Sequence, residues 1–537
     1  MSSPRPTHPV VVACLAVTLV LASFAPPVGA RPADAPPLTS GNAFSTRPLP
    51  ARVTAIMNGP LYRRSDWGLY LADRRTGEPI FEYRADQQVV PGSTTKLFAA
   101  AAALDAYGPD FRFETPVYRL GSLDGAGTLR GDLVLVASGD LTMGGRTTAD
   151  GRIAWTNFDH GDADVLPTVG LTPEDPLAGL DELARQVAAS GIRRVTGNVI
   201  VDARLFPQME KDTYVLSPIM INDNIVDVIV RPGEVGGPAV VSFRPQSSAF
   251  RLLSTVRTVP AGQPIDLNLT MPQPGVLAID GQIAADVPQA LQIYQVPDPP
   301  VFARTLFVEA LGRAGVAVDA PALGANPQDL LPAPGSFSAA ERVAMLQSPP
   351  FSENITHILK VSQNKQADTL IFLLAIKRGL QNFDEGLAEI GVFLRRIGVD
   401  PLTISLGDGR GNDRADLFSP RAVSQLTQAM AQRPDFATFY HAMPILGVDG
   451  TEAQTLPPTS PAVGKIVGKS GTTVVGDGMN DRPVILGRGN AGYLTGKSGH
   501  EYVFALYVQN VPLGGLNDLF AVAGDLGTIL DLIFEET

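Results

Sequence analysis

Ser93-Thr94-Thr95-Lys96 sets a hydroxyl and an ammonium three residues apart, at the start of an Ala- and Leu-rich run that reaches Tyr107 without a Gly or Pro. On a helix this spacing puts both side chains on one face, within reach of a hydrogen bond. The positive end of the helix dipole, together with burial, would depress the lysine pKa and let it take the serine proton. The chemistry on offer is a serine nucleophile activated by a lysine base. Alone the pattern is a common accident, because a serine is also a good helix cap, and Ser362-Gln363-Asn364-Lys365 repeats it.

Ser362 and Asn364 form a second candidate. On a turn or extended segment, residues two apart point the same way, so both can enter one cavity while Gln363 is directed elsewhere. A third is Lys469-Ser470-Gly471-Thr472, after the strand-like Gly464-Lys-Ile-Val467. A glycine in an edge strand lets a ligand backbone approach, and the flanking Lys469 and Ser470 supply a carboxylate-binding pair. The same tripeptide recurs at Lys497-Ser498-Gly499, where two strong β runs flank it and predict a hairpin turn.

Other chemistries are excluded by spacing. Both Gly-Lys-Ser tripeptides have three residues between their glycines, and a phosphate loop needs four. The five histidines are scattered, with no His-Glu-x-x-His and no cysteine partners, so no metal site is expected. No Gly-x-Ser-x-Gly elbow occurs.

The elements that must position these groups follow from periodicity. Gly68–Asp73 and Pro79–Tyr83 predict a hairpin, and Thr94–Tyr107 a helix that ends at Gly108. Short β-like runs fill 108–297, interrupted by a helical run at Leu177–Ser190. Helices are expected at Val301–Gly315, Ala339–Leu346 and Asn354–Lys377. A strand pair at Ala491–Thr495 and Tyr502–Val508 and an amphipathic helix at Leu516–Phe534 close the chain. The expected fold is α/β of the α+β kind: residues 49–107 and 298–537 form one domain with an antiparallel sheet and helices on both sides. It is split by a large β-rich insert, 108–297, read as two small domains.

The 537 residues, 45% hydrophobic and 18% charged, suffice for several cores. A net charge of −12 argues against nucleic acid as a partner. Residues 1–30 read as an export signal: Arg5, an apolar run from Val10 to Leu21, and a small-residue cleavage site at Val28-Gly-Ala30. Cys14, the only cysteine, lies inside it, and acylation there is disfavoured by the few apolar residues that precede it. Residues 31–48 read as a flexible tail.

The ordered set of Ser93-x-x-Lys96, Ser362-x-Asn364 and Lys469-Ser-Gly resembles the class C, low-molecular-mass penicillin-binding proteins, the D-alanyl-D-alanine carboxypeptidase and endopeptidase family. Val90-Pro-Gly-Ser-Thr-Thr-Lys-Leu97, Ala137-Ser-Gly-Asp140, Asn364-Lys-Gln-Ala-Asp368 and Pro444–Thr451 are similar to it as well, and the 266 positions from Lys96 to Ser362 match its inserted domains. Gln363 stands where many relatives have Asp and Ser470 where many have Thr, and Asp408–Asp413 is only partly similar and receives no role. The resemblance implies a penicillin-binding, serine β-lactamase-like fold and attack by Ser93 on the penultimate D-Ala carbonyl to form an acyl-enzyme, with Lys96 as base. It implies proton relay through Ser362, substrate orientation by Asn364, and carboxylate binding by Lys469, Ser470 and Thr472. The backbone amides of Ser93 and Thr472 would make the oxyanion hole. No cofactor is implied. The implied partners are peptidoglycan stem peptides, with β-lactam antibiotics as covalent inhibitors, in a periplasmic or other extracytoplasmic setting that leaves a peripheral membrane or wall association open. A β-lactamase or esterase on the same scaffold is the alternative, and a wall-binding protein with a dead site is another.

Overall fold

The computed structural model describes residues 46–537. The export signal and most of the proposed tail lie outside the described residues. The tail's last residues join the sheet, where the Arg47 amide donates to the Ile80 carbonyl at 3.0 Å.

The central sheet is antiparallel and joins the two ends of the described chain. Its strands are β1 (Asp66–Asp73), β2 (Pro79–Tyr83), β3 (Ile466–Asp477), β4 (Arg482–Thr495) and β5 (Glu501–Pro512), in the order β2-β1-β5-β4-β3. Leu69 lies opposite Leu506, and Lys469 opposite Ala491. Alternate residues serve two cores. Tyr70, Ala72, Ala505 and Tyr507 face one helical layer, whereas Leu69, Leu71, Leu506 and Val508 face the other. Both faces are covered, which explains why Tyr502–Val508 reads as unbroken hydrophobic sequence.

The first layer is centred on helix α1 (Lys96–Tyr107), whose residues 97–104 are almost fully buried. Its alanines let the helices α2 (Phe351–Lys360) and α3 (Asn364–Lys377) pack closely against it. The second layer is the C-terminal helix, Leu516–Glu536, which sets Leu526, Ile529, Leu530 and Ile533 against Trp67, Leu69 and Val508. The helical run predicted from Asn354 to Lys377 is broken at Ser362, a non-glycine residue with φ of 62°.

Residues between Tyr107 and Phe351 form the insert, with three sheets around one shared core. One is six-stranded and includes Glu114–Leu123, Thr128–Val136 and Arg342–Gln347. The packing departs from the sequence reading in two places. Helix Pro299–Arg313 and the chain up to Gln347 pack on the insert, not on the sheet of residues 49–107, because Phe302, Leu306, Phe307 and Leu346 fill the insert's core. The insert holds one large core and a second, smaller one around Ala163, Val169, Ile225, Ile229, Leu291 and Ile293. The helix predicted at 339–346 is a short 3-10 turn followed by a strand, in which Ala344 and Leu346 are buried and Val343 and Met345 only half-buried, a period of two.

Candidate active site

Ser93 sits on a 3-10 turn, Gly92–Thr95, that runs straight into α1. The turn is held from below, where the Thr94 hydroxyl donates to the Pro91 carbonyl at 2.8 Å and accepts from the Tyr507 hydroxyl at 2.9 Å. Strand β3 crosses it at main-chain contact. A Cβ on Gly471 would fall 2.1 Å from the Pro91 carbonyl oxygen and 2.7 Å from the Ser93 nitrogen, and one on Gly92, whose φ is 53°, 2.4 Å from the Thr472 nitrogen. Only glycines permit this approach, which brings the amides of Ser93 and Thr472 to one place.

Lys96 is fully buried. Its Nζ lies 2.7 Å from Ser93 Oγ, 2.7 Å from Asn364 Oδ1 and 3.1 Å from the Arg410 carbonyl oxygen. Burial, and then the charge of Lys469, hold its pKa well below the usual lysine value, against the opposing pull of Asp408 and Asp368. The three contacts take up the three N–H donors of the ammonium, and once a proton is lost the bonds to the Asn364 and Arg410 oxygens can stay while the freed lone pair faces Ser93 Oγ.

Ser362 and Asn364 open onto one cleft of about 130 Å³, shared with Asp162, Tyr214, Arg410 and Asn412. Gln363 also borders it, but its side chain caps α3 by accepting from the Lys365 amide at 2.9 Å. Lys469 is buried on β3, where its Nζ donates to the Ser470 carbonyl at 2.7 Å. Burial brings its pKa down to about 8, although Glu452 and Asp162 resist. Ser470 and Thr472 are half-buried beside it. The second Lys-Ser-Gly, at 497–499, forms the turn between β4 and β5, tied by its Lys497 amide to Phe534.

Several residues at the site had no place in the sequence argument. Arg488, opposite Thr472 on β4, donates to its hydroxyl at 2.7 Å. No sequence motif marks it, since only strand pairing brings it there. The Asp408–Asp413 segment supplies the Arg410 carbonyl to Lys96, and the Asp408 carboxylate folds the loop by accepting from the amides of Arg410 at 2.9 Å and Gly411. Its partial likeness to the family pattern was the available signal. Asp162, on the cleft wall, is raised to about 6 by burial and by Asp159, while Lys96 and Lys469 lower it.

Beneath the cleft, Asp159, His160 and Asp223 bring three metal-ligating atoms within 4.8 Å of one another. The cation they hold is Arg146, which meets Asp159 at 2.8 Å and Asp223 at 3.0 Å. Burial opposes charge on His160, but Asp227 and Asp159 outweigh it and hold the imidazolium pKa at about 10. A protonated ring has no lone pair for a metal.

Residues 49–520 match the model of the D-Ala-D-Ala carboxypeptidase 3 (S13) family. The chain belongs to that family. It is 28% identical over 471 residues to a D-alanyl-D-alanine carboxypeptidase of Actinomadura sp., a match covering 83% of this chain and 79% of that protein. It is 23% identical over 510 residues to carboxypeptidase DacB of Mycolicibacterium smegmatis, covering 93% and 88%. The fold is similar to that of penicillin-binding protein 4 (dacB) of Haemophilus influenzae, solved in complex with a β-lactam, with a TM-score of 0.66, 20% identity, and coverage of 90% of this chain and 99% of that one. Family membership makes the chain a serine-type D-Ala-D-Ala carboxypeptidase.

Proposed function

We propose that Ser93 is the nucleophile of this carboxypeptidase and Lys96 its base, and that the reaction runs through an acyl-enzyme on peptidoglycan stem peptides. The observation that carries the assignment is the three-way contact of the buried Lys96 amine. Ser93 Oγ bonds to the penultimate D-Ala carbonyl carbon as its proton passes to Lys96. The amides of Ser93 and Thr472 stabilise the oxyanion, each donor worth about 3 kcal/mol in comparable sites. Ser362 carries the proton to the departing D-Ala nitrogen, and water then cleaves the ester. Asn364 orients the substrate amide while fixing Lys96. Lys469 with Ser470 and Thr472 binds the terminal carboxylate, and Arg488 adds positive charge behind Thr472.

Cleavage of cross-links, acylation by β-lactams and export to the periplasm or its equivalent belong to the same proposal. Export rests on residues 5–30. Among the described residues, no helix is long and apolar enough to cross a membrane. Peripheral contact with membrane or wall fits a substrate fixed in the wall.

Benzylpenicillin tests the assignment, because its strained amide beside a carboxylate mimics D-Ala-D-Ala. Intact-mass measurement should show one adduct and peptide mapping should place it on Ser93. Ser93→Ala should abolish it, and Ser498→Ala should change nothing. An adduct on Ser362 would overturn the choice of nucleophile, and absence of both adduct and released D-Ala would favour a non-catalytic binder. Faster turnover of penicillin or of a nitrophenyl ester than of a D-Ala-D-Ala peptide would favour the β-lactamase or esterase reading.

A further inference from the structure

The turn that presents Ser362 and Asn364 is gripped from the insert by side chains the reaction does not use. Lys365, the residue after Asn364, is buried, and its Nζ donates to the Asp223 carbonyl and to Gln295 Oε1 at 3.0 Å. Gln366, the next residue, donates to Asp223 Oδ1 at 2.8 Å and accepts from the ring of His357, on α2, at 3.0 Å. The other Asp223 oxygen takes Arg146 and His160, each at 3.0 Å. Asp223 thus reaches α3 directly and α2 through Gln366. Its own backbone is strained: Asn222, Asp223 and Asn224 have φ of 51°, 53° and 52°, three successive non-glycine residues in the left-handed region. Such a conformation persists only where its surroundings over-determine it. The Asn222 amide to the Ile225 carbonyl and the Asn224 amide to the Ile219 carbonyl provide that.

We propose that Lys365 is a positioning residue, which ties the first turn of α3 to the Asp223 carbonyl and Gln295 so that the insert sets where Ser362 and Asn364 stand. The inference rests on the roles assigned above to those two residues. Ser362 is itself left-handed, so its placement depends on tethers on either side of it. Lys365 and Gln366 each cross directly from α3 to two insert oxygens, Gln366 to the Leu141 carbonyl at 3.1 Å and to Asp223 Oδ1, and of the two Lys365 is the one that carries a charge and lies next to Asn364.

The tether is sensitive to pH. Burial brings the Lys365 pKa down to about 7, against the pull of Asp223. The charged groups around it are Asp223 with Arg146, Asp159 and His160 behind it, Asp162 and Arg410 across the cleft, and Asp368 on its own helix, with the Tyr214 ring 5.4 Å away. His357, from α2, is kept neutral by burial and Arg146. As pH rises through 7 the ammonium is lost and the grip on both oxygens weakens, so acylation declines before Lys469 deprotonates near 8.

The test is the rate of Ser93 acylation by benzylpenicillin from pH 5.5 to 9, with folding checked by near-ultraviolet circular dichroism. Lys365→Met should slow acylation on the order of 10²-fold, the cost of a misplacement of about 1 Å, with little change in the penicillin concentration giving half-maximal rate. It should also erase the decline centred near pH 7. Gln295→Glu, which sets a carboxylate beside the ammonium, should move that decline up by about one unit or more. A folded Lys365→Met with the wild-type rate and profile overturns the proposal, and so does Gln295→Glu with an unmoved decline, which decides the matter if Lys365→Met does not fold. Ser362→Ala in the same assay separates the two levels: slow Ser362→Ala with fast Lys365→Met sinks the tether alone, and fast Ser362→Ala sinks the role of Ser362.

Discussion

Asn364 Oδ1 stands 2.7 Å from Lys96 Nζ, the same distance at which that nitrogen meets Ser93 Oγ. A neutral amide therefore faces the Lys96 nitrogen, at a position where a carboxylate would fit equally well. Asn364→Asp should raise the Lys96 pKa by about 1–3 units, as an adjacent opposite charge does. Acylation by penicillin should fall at pH 7, with its acid limb moved towards alkaline pH. An acid limb that stays where the wild type has it would refute Lys96 as the base.

Lys469, proposed above to bind the substrate carboxylate, titrates near 8 because it is buried. Binding needs the ammonium, so its loss as pH rises through 8 should raise the KM of a D-Ala-D-Ala peptide, by about tenfold per unit above that pH. Lys469→Arg, charged throughout, should remove the rise. Steady-state kinetics between pH 7 and 10 would show it.

Gly471 should tolerate nothing larger. A methyl group there would press on the Pro91 carbonyl and the Ser93 amide. Gly471→Ala should cost about 1–3 kcal/mol by overpacking, read by urea unfolding, and should slow acylation by pushing β3 off the turn that bears Ser93.

Asp416 and Asp408 share a buried site beside the loop that holds Lys96. Burial, then the Asp408 charge, lifts Asp416 to about 8. The unfolded carboxyl loses its proton near 4. The folded state thus keeps a proton the unfolded chain has shed, so this contribution to stability is full below about pH 4 and lost as pH rises towards 8. Asp416→Asn should flatten that slope, which is up to about 1.4 kcal/mol per pH unit for one proton. Unfolding midpoints at pH 5 and pH 8 would measure it, and equal slopes in both proteins would refute the shared proton.

What the sequence disclosed depended on whether local pattern or distant pairing decides. Helix α1 and its Ser93–Lys96 pair were legible because an alanine run without breakers has one good conformation. Strand β5 was legible because β-branched and aromatic residues dominate it. Arg342–Gln347 was misread, since Arg, Ala, Met, Leu and Gln are good helix formers and only pairing with Glu114–Leu123 makes them a strand. Arg488 could not be foreseen, because its partner Thr472 is set by the register of β3 on β4. Lys365 looked like a chance repeat of the Ser-x-x-Lys spacing, and its insert partners lie 70 and 142 positions away.

The sheet order places β1 against β5, so Asp66 pairs with Gln509. A ribosome therefore finishes the turn that bears Ser93 long before it makes the strands that bring Thr472 against it and close the sheet. Until the last strand emerges, β1 has no β5 to pair with and α1 no floor from Tyr507. Closing so long a loop is slow, since its entropy must be surrendered before the contacts form. The order of synthesis itself keeps the serine inert: a chain truncated before residue 500 would carry both Ser93 and Lys96 and still have no enzyme around them.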